Sequence, residues 1–325
     1  LVRAGRNAPM AKTMLVPESW SKQAVELPQA WRDMYSYVNS VMEPWDGPAA
    51  LAMTDGRWVC GGLDRNGLRP MRYVVTGDGL LVAGSEVGMV PTDEKSVVEK
   101  GALGPGQMIA VDMVAGKLFH DTEIKDALAA AQPFGEWVGK ISEMDGALAA
   151  VTEKPLFEGA ELRRRQIAAG YTMEELEQIL APMAEDGKEL VASMGDDTPS
   201  AVLSNSYRPL SHFFRQNFSQ VTNPPIDSLR EFRVMSLKTR FGNLKNVLDV
   251  SSAQSEIVVL DSPFVGNAQF DRLVESFSAP TVEIDCTFPA GAGPRALRDG
   301  LERIRAEAED AVRSGTGHLV LTDQH

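Results

Sequence analysis

Ala49-Ala-Leu-Ala-Met-Thr-Asp-Gly-Arg-Trp-Val-Cys-Gly-Gly-Leu63 decides the reading of the first half of the chain. Two short apolar runs flank Asp55-Gly56, the dipeptide that best supplies the positive φ angles of a tight hairpin. The pattern continues outward. Asn66-Gly67, Gly77–Gly79 and Gly116 punctuate the runs Tyr73–Val75, Leu80–Ala83, Met108–Val111 and Lys117–Phe119. Short runs at this spacing predict an antiparallel β region over 48–119. Before it, residues 28–42 predict a helix, with Trp31, Met34, Tyr35, Val38 and Met42 near one face and Pro44 ending it. Residues 1–20 carry few periodic signals. After the β region, Thr122–Ala131 predicts a helix with Glu123 and Asp126 on its polar side.

The second half reads differently. Residues 133–165 hold few strand cues and end in Arg163-Arg164-Arg165; they read as a connector, the basic triplet as a solvated helix face. Thr172-Met-Glu-Glu175 has capping-box spacing and predicts a helix through Leu180, interrupted by Pro182. A further helix is expected over Asp197–Asn217, with Asp197 ahead of Thr198-Pro199 as its cap. From 256 on, the order is strand, helix, strand, helix, strand: Ile257–Leu260, Ala268–Phe277, Val282–Phe288, Arg295–Arg313 and Leu319–Leu321. Strands separated by helices imply parallel pairing. The expected fold is thus an α+β N-terminal part with antiparallel strands, followed by an α/β part with parallel strands.

The 325 residues suit about two domains. A formal charge of −13 disfavours a nucleic-acid partner. No stretch reaches the ~18 apolar residues of a membrane span. Two cysteines, Cys60 and Cys286, speak against a disulfide framework or a cysteine-ligated cluster and for a cytoplasmic home. Cys60 reads as a core thiol. His120, His212, His318 and His325 are scattered without metal-ligand spacing. Gly291-Ala-Gly293-Pro-Arg-Ala296 fits a dinucleotide loop, but Pro294 removes one donor, so a plain strand-to-helix turn is expected. Two loops resist a packing explanation: Leu63-Asp-Arg-Asn-Gly-Leu-Arg-Pro70, with three charges around a turn, and Gln220-Val-Thr-Asn-Pro-Pro-Ile-Asp227, whose prolines hold Asn223 extended. Either positions a ligand or forms a rigid joint.

These loops carry a resemblance. Leu15-Val-Pro-Glu-Ser-Trp20, Met42-Glu-Pro-Trp-Asp-Gly-Pro-Ala49, the 63–70 loop and Gly84-Ser-Glu-Val-Gly88 are similar to the latter part of the glutamine amidotransferase domain of glutamate synthase large subunits, of the bacterial NADPH type. Gly170-Tyr-Thr-Met-Glu-Glu-Leu176, Ser193-Met-Gly-Asp-Asp-Thr-Pro199, the string Phe214–Asp227 and Val234-Met-Ser-Leu-Lys238 resemble that family's central domain.

The resemblance implies an N-terminal-nucleophile amidotransferase fold cut to its C-terminal portion at 1–132, a connector at 133–165 and a truncated central domain at 166–325. It implies an enzyme that hydrolyses glutamine, channels the ammonia and reductively aminates 2-oxoglutarate with FMN and a [3Fe–4S] cluster. The partners implied are the remainder of the large subunit and a small NADPH-oxidising flavoprotein subunit. Residue 1 is Leu, so the family's N-terminal Cys is absent, and Asn66-Gly67 is not its oxyanion pair. No catalytic, cofactor or metal residue is expected within 1–325, which reads as structural and tunnel-forming, inactive in isolation. Met194 and Thr222 are the positions the resemblance assigns to the ammonia tunnel. The alternatives are a stand-alone module that lacks the nucleophile, and a dinucleotide-binding enzyme using Gly291–Ala296.

Overall fold

A computed structural model of the chain describes residues 4–20, 27–45, 47–187, 229 and 235–324. They fall into two compact units, Leu1–Thr152 with Pro224–His325, and Glu153–Asn223.

The first unit opens with α1 (Ala8–Leu15) and α2 (Gln29–Val41). No periodic cue marks α1, but a local one exists: the Asn7 side chain accepts from Met10 N at 2.9 Å and Pro9 sits in the first turn. Helix α2 matches expectation, burying Trp31, Met34, Tyr35 and Val38 at the helical period. Seven strands follow: β1 (Ala50–Thr54), β2 (Trp58–Leu63), β3 (Arg72–Thr76), β4 (Leu81–Gly84), β5 (Val97–Ala102), β6 (Met108–Asp112) and β7 (Lys117–Phe119). All their pairings are antiparallel, in two sheets ordered β1-β2-β6-β7 and β4-β3-β5.

The Asp55-Gly56 hairpin forms as read. Asp55 Oδ1 accepts from Arg57 N at 2.9 Å and Trp58 N at 2.7 Å, and Gly56 has φ +93°. Asn66-Gly67 closes no hairpin; β2 and β3 belong to different sheets. Asp64 captures the backbone there: its carbonyl accepts from Gly67 N at 3.2 Å and Gly106 N at 2.8 Å, pulling the chain away from β2. Strand β5 was not foreseen, because its alternation runs through the charged pair Glu99-Lys100.

The core lies between one face of the four-stranded sheet and the helices. Met14, Met34, Tyr35, Val38, Cys60, Met108 and Ala110 meet Ile124 and Leu128 of α3 (Asp121–Ala129) and Phe134 of α4 (Phe134–Val138). The stretch read as a connector therefore contributes to this core. It continues into β8 (Ser142–Glu143) and α5 (Asp145–Ala149).

Beyond 234, β9 (Thr239–Phe241) pairs antiparallel and β8 parallel with β10 (Val258–Leu260). In the second unit, α6 (Gly159–Ala168) precedes a π-helical turn, Glu175–Leu180, that runs into α7 (Ala181–Asp186). The Thr172 capping box forms: Glu175 N donates to Thr172 Oγ1 at 3.1 Å, and Thr172 N donates to Glu175 Oε2 at 2.8 Å. Pro182 does not interrupt this helix; it lies in the first turn of α7, where the wider π turn ahead leaves its missing N–H harmless. Arg164 and Arg165 pair with Glu161 on an exposed face, as the charge run suggested.

In the first unit again, α8 (Asn267–Glu275), β11 (Thr281–Asp285), α9 (Ala296–Arg313) and β12 (His318–Thr322) follow in the expected order. Strands β11 and β12 pair in parallel over five residues. Among the described residues β10 does not join them, so the parallel strands expected as one set lie in two sheets. Strand β10 is three residues long and already flanked on both sides by β8 and β9.

The two halves of the sequence meet within this unit. The Arg6 guanidinium donates to the carbonyls of Val247, Leu248 and Asp249 at 3.1, 3.2 and 3.1 Å. The Tyr37 hydroxyl donates to Gln254 at 3.2 Å and accepts from Ser251 N at 3.2 Å. Arg6→Met is expected to destabilise the chain by about 1.5–3 kcal/mol, the range for hydrogen bonds made by a charged group. Hydrogen exchange should accelerate over 244–256. Arg6→Lys should restore little, since a point charge cannot span three carbonyls. Unchanged exchange in Arg6→Met would show that the clamp is dispensable.

A second clamp joins the two sheets. His120, at the N-terminus of α3, places Nε2 2.7 Å from Glu99 Oε1 and Nδ1 3.4 Å from Glu123 Oε2; the Tyr73 hydroxyl donates to the same Glu99 oxygen at 2.8 Å. The Glu99 contact raises the His120 pKa above its ordinary value, and the contacts from His120 hold Glu99 and Glu123 below theirs. The imidazolium is favoured on folding, so its contribution is complete below about pH 6.5 and fades as pH rises through the elevated folded value. The carboxylates contribute above about pH 4.3 and lose their effect as pH falls. The difference in melting temperature between wild type and His120→Gln should peak between about pH 5 and 6.5 and vanish by about pH 9. A flat difference across that range would exclude the charged clamp.

Candidate functional site

The loop after β2 is the part of the resemblance that the structure describes most fully. Asp64 and Asn66 are each 1% exposed. The Asp64 carboxylate accepts from Ala49 N at 3.1 Å and Asn66 N at 2.8 Å, so one buried acid ties the 42–49 string to the 63–70 string. Gly67 has φ +61°, and a Cβ there would stand 2.8 Å from the Cα of Pro105; both backbone angle and space require glycine. Among the described residues, both polar atoms of the Asn66 side chain are enclosed without a hydrogen-bond partner.

Next to this loop lies a buried polar cluster that sequence reading missed. Lys12, 1% exposed, donates to Gly106 O at 2.9 Å. Lys125, 0% exposed, bridges Glu18 Oε1 at 2.9 Å and Asp121 Oδ2 at 2.8 Å. The Tyr35 hydroxyl donates to Glu18 Oε1 at 2.5 Å. Burial, with help from the Lys125 charge, lowers the Lys12 pKa to about 8; burial and Glu18 push that of Tyr35 well up. Gly62 makes the room, because a Cβ there would sit 2.8 Å from Lys12 Cε. Only Gly61-Gly62 on β2 hinted at such a close approach.

The cluster is sealed rather than reactive. Cys60 is 2% exposed, and burial pushes its thiol up to about 11, so it holds no thiolate at neutral pH. It is a core thiol, as expected. Among the described residues, no group of three or more His, Cys, Asp or Glu side chains is placed to hold a metal ion. The chain's own donors do not fit an iron–sulfur cluster: it has two cysteines, one buried in the core on β2 and the other just past β11. Gly291–Ala296 lies in the loop between β11 and α9, with open space at Gly291 and φ +85° at Gly293, a strand-to-helix turn. His318 stacks on Phe277 at 3.9 Å, and burial lowers its pKa. Met194, Thr222, His212 and the whole 220–227 loop lie outside the described residues.

Comparison with known proteins bears on the same strings. Residues 1–137 match the class-II glutamine amidotransferases, and residues 164–325 match the glutamate synthase central domain. The chain is 58% identical over 327 residues to the glutamate synthase [NADPH] large chain of Azospirillum brasilense, an alignment covering 100% of this chain and 22% of that protein. It is 42% identical to ferredoxin-dependent glutamate synthase 2 of Synechocystis, over 100% of this chain and 21% of that one. Against the glutamate synthase [NADH] of Saccharomyces cerevisiae, the figures are 37%, 97% and 15%. The chain thus spans about a fifth of the length of the first of these relatives. With an amidotransferase segment and a central-domain segment in the same order as these relatives, the chain belongs to the glutamate synthase large-chain family.

Proposed function

We propose that the chain is the joint between glutamine amidotransferase and central domains in a glutamate synthase large chain, and that its role there is structural and tunnel-forming. The observation that carries this reading is the continuity of the first unit. Arg6 and Tyr37 of the amidotransferase segment are hydrogen-bonded to 247–254 of the central segment. A reaction that passes ammonia between two centres needs such a joint, because free ammonia reaching water is protonated and loses its nucleophilic lone pair.

In the complete protein, glutamine is hydrolysed and the ammonia adds to 2-oxoglutarate. Reduced FMN and a [3Fe–4S] cluster, held outside 1–325, supply the electrons. The 58% identity to an NADPH-named large chain supports a small NADPH-oxidising flavoprotein subunit as partner, and the two cysteines, both free, suit a cytoplasmic setting. No helix among the described residues is long and apolar enough to cross a membrane. On this reading the chain divides into 1–132, a connector at 133–165 whose Phe134 packs into the first-unit core, and a central domain at 166–325; the family matches at 1–137 and 164–325 support it. The remainder of the large chain covers the apolar residues left exposed on α9 and β12, among them Leu297, Leu301, Val312 and Leu321.

Met194 and Thr222 line the ammonia path on this reading. Thr222→Trp in the complete enzyme is expected to lower the ratio of glutamate formed to glutamine consumed, because overpacking closes a narrow passage. A wild-type ratio in a folded Thr222→Trp enzyme would remove Thr222 from the path. The 325-residue chain alone is expected to release no ammonia from glutamine above a Cys60→Ala control, since its one core thiol is protonated and enclosed. Ammonia release that Cys60→Ala abolishes would overturn that expectation.

A further inference from the structure

We propose that the cavity between α2, β9 and β10 binds a small organic carboxylate, with Arg240 as its anion-binding group and Asn39 as a second polar contact. The inference stands independently of the joint role above.

The cavity measures about 1010 Å³ and lies wholly within the first unit. Arg240 of β9 and Asn39 of α2 both line it. Among the described residues Arg240 Nε is enclosed without a hydrogen-bond partner, and no charged neighbour acts on the guanidinium. Burial lowers its pKa, and no neighbouring carboxylate opposes the shift. A half-buried guanidinium without a counterion is unfavourable by several kcal/mol in general, and native structures rarely leave one so. Asn39 Oδ1 is likewise enclosed and, among the described residues, unpartnered; as an acceptor it suits a donor on the ligand, such as an amino acid's ammonium group, rather than the carboxylate.

The acids that share the cavity are engaged elsewhere. Asp261 and Glu143 pair with Lys238 at 3.2 and 4.0 Å, and Glu18 holds Lys125 and Tyr35. Arg32 and Arg65, which also line the cavity, have partners of their own, which leaves Arg240 to take the anion. A carboxylate suits it, because its planar pair of oxygens matches the guanidinium fork. Val41, Leu244 and Val259 give the same cavity apolar wall for a carbon skeleton.

The test is thermal shift and calorimetry on the 325-residue chain with three probes, 2-oxoglutarate, L-glutamate and sodium sulfate, at matched ionic strength. Wild type should show saturable binding of at least one of the two carboxylates and none of sulfate. Arg240→Met should weaken that binding about tenfold or more. It should melt no lower than wild type, because it removes a buried charge that has no partner. No saturable carboxylate binding, equal binding of sulfate, or undiminished binding in Arg240→Met would each overturn the proposal. A lower melting temperature for Arg240→Met without ligand would do so too, by giving the guanidinium a structural partner.

Discussion

Helix α2 is buried from two sides, and the first unit is organised around that burial. Trp31, Met34, Tyr35 and Val38 pack among Met14, Cys60, Met108, Ile124 and Leu128. Tyr37, 2% exposed, faces the other way. Its ring meets Phe134 and Trp137 at 5.2 and 5.0 Å, and its hydroxyl bonds to the turn at 251–254. A helix with only one apolar stripe serves one layer. With a second buried position beside that stripe, α2 couples the amidotransferase sheet to a segment more than 200 residues later in the chain.

The polar cluster beside α2 adds a constraint of another kind. Two lysines are buried with Glu18, Asp121 and Tyr35 beneath a strand whose glycines let a lysine stem pass. Buried ion pairs of this sort contribute little net stability, since desolvation offsets much of the attraction. They do penalise any packing that separates them, because a stranded charge in the interior is far worse than a lost hydrophobic contact. Glu18 lies in the 15–20 string and its oxygen holds both Lys125 and Tyr35, so that string is fixed against α2 and α3 together. The loop at 63–70 is fixed in turn by the single acid Asp64. The strings at 15–20 and 63–70 are therefore packed and hydrogen-bonded to their surroundings.

The central segment is held more sparingly. Among the described residues its core cluster is Leu148, Leu260 and Leu273 with a few half-buried neighbours, while α9 buries only Ala296. Arg303 secures that helix by donating to the carbonyls of Asp285 and Thr287 at 2.8 and 2.9 Å. A family whose large chains are about five times this length has ample further surface to lay against such a helix.

The sequence by itself determined the elements whose signals are local. Hairpin turns follow from Asp-Gly and Gly, whose backbone freedom is intrinsic. Helix α2 follows from its period, and the Thr172 cap from a three-residue spacing. The order of elements after 256 follows from alternating apolar runs. The family was legible because its long strings are linear in the chain. Tertiary structure alone decided that Asn66-Gly67 links two sheets instead of closing a hairpin, because the deciding acceptor is the Asp64 carbonyl, taken by Gly106 some forty residues on. It alone decided that β8 lies beside β10 and that Arg6 reaches 247–249. It alone gathered Lys12, Glu18, Tyr35, Asp121 and Lys125 into one cluster. Such contacts join residues far apart in sequence, and no period or spacing encodes them. They form only when the chain, driven to bury its apolar faces, brings distant charges into a dry interior where each must find a partner.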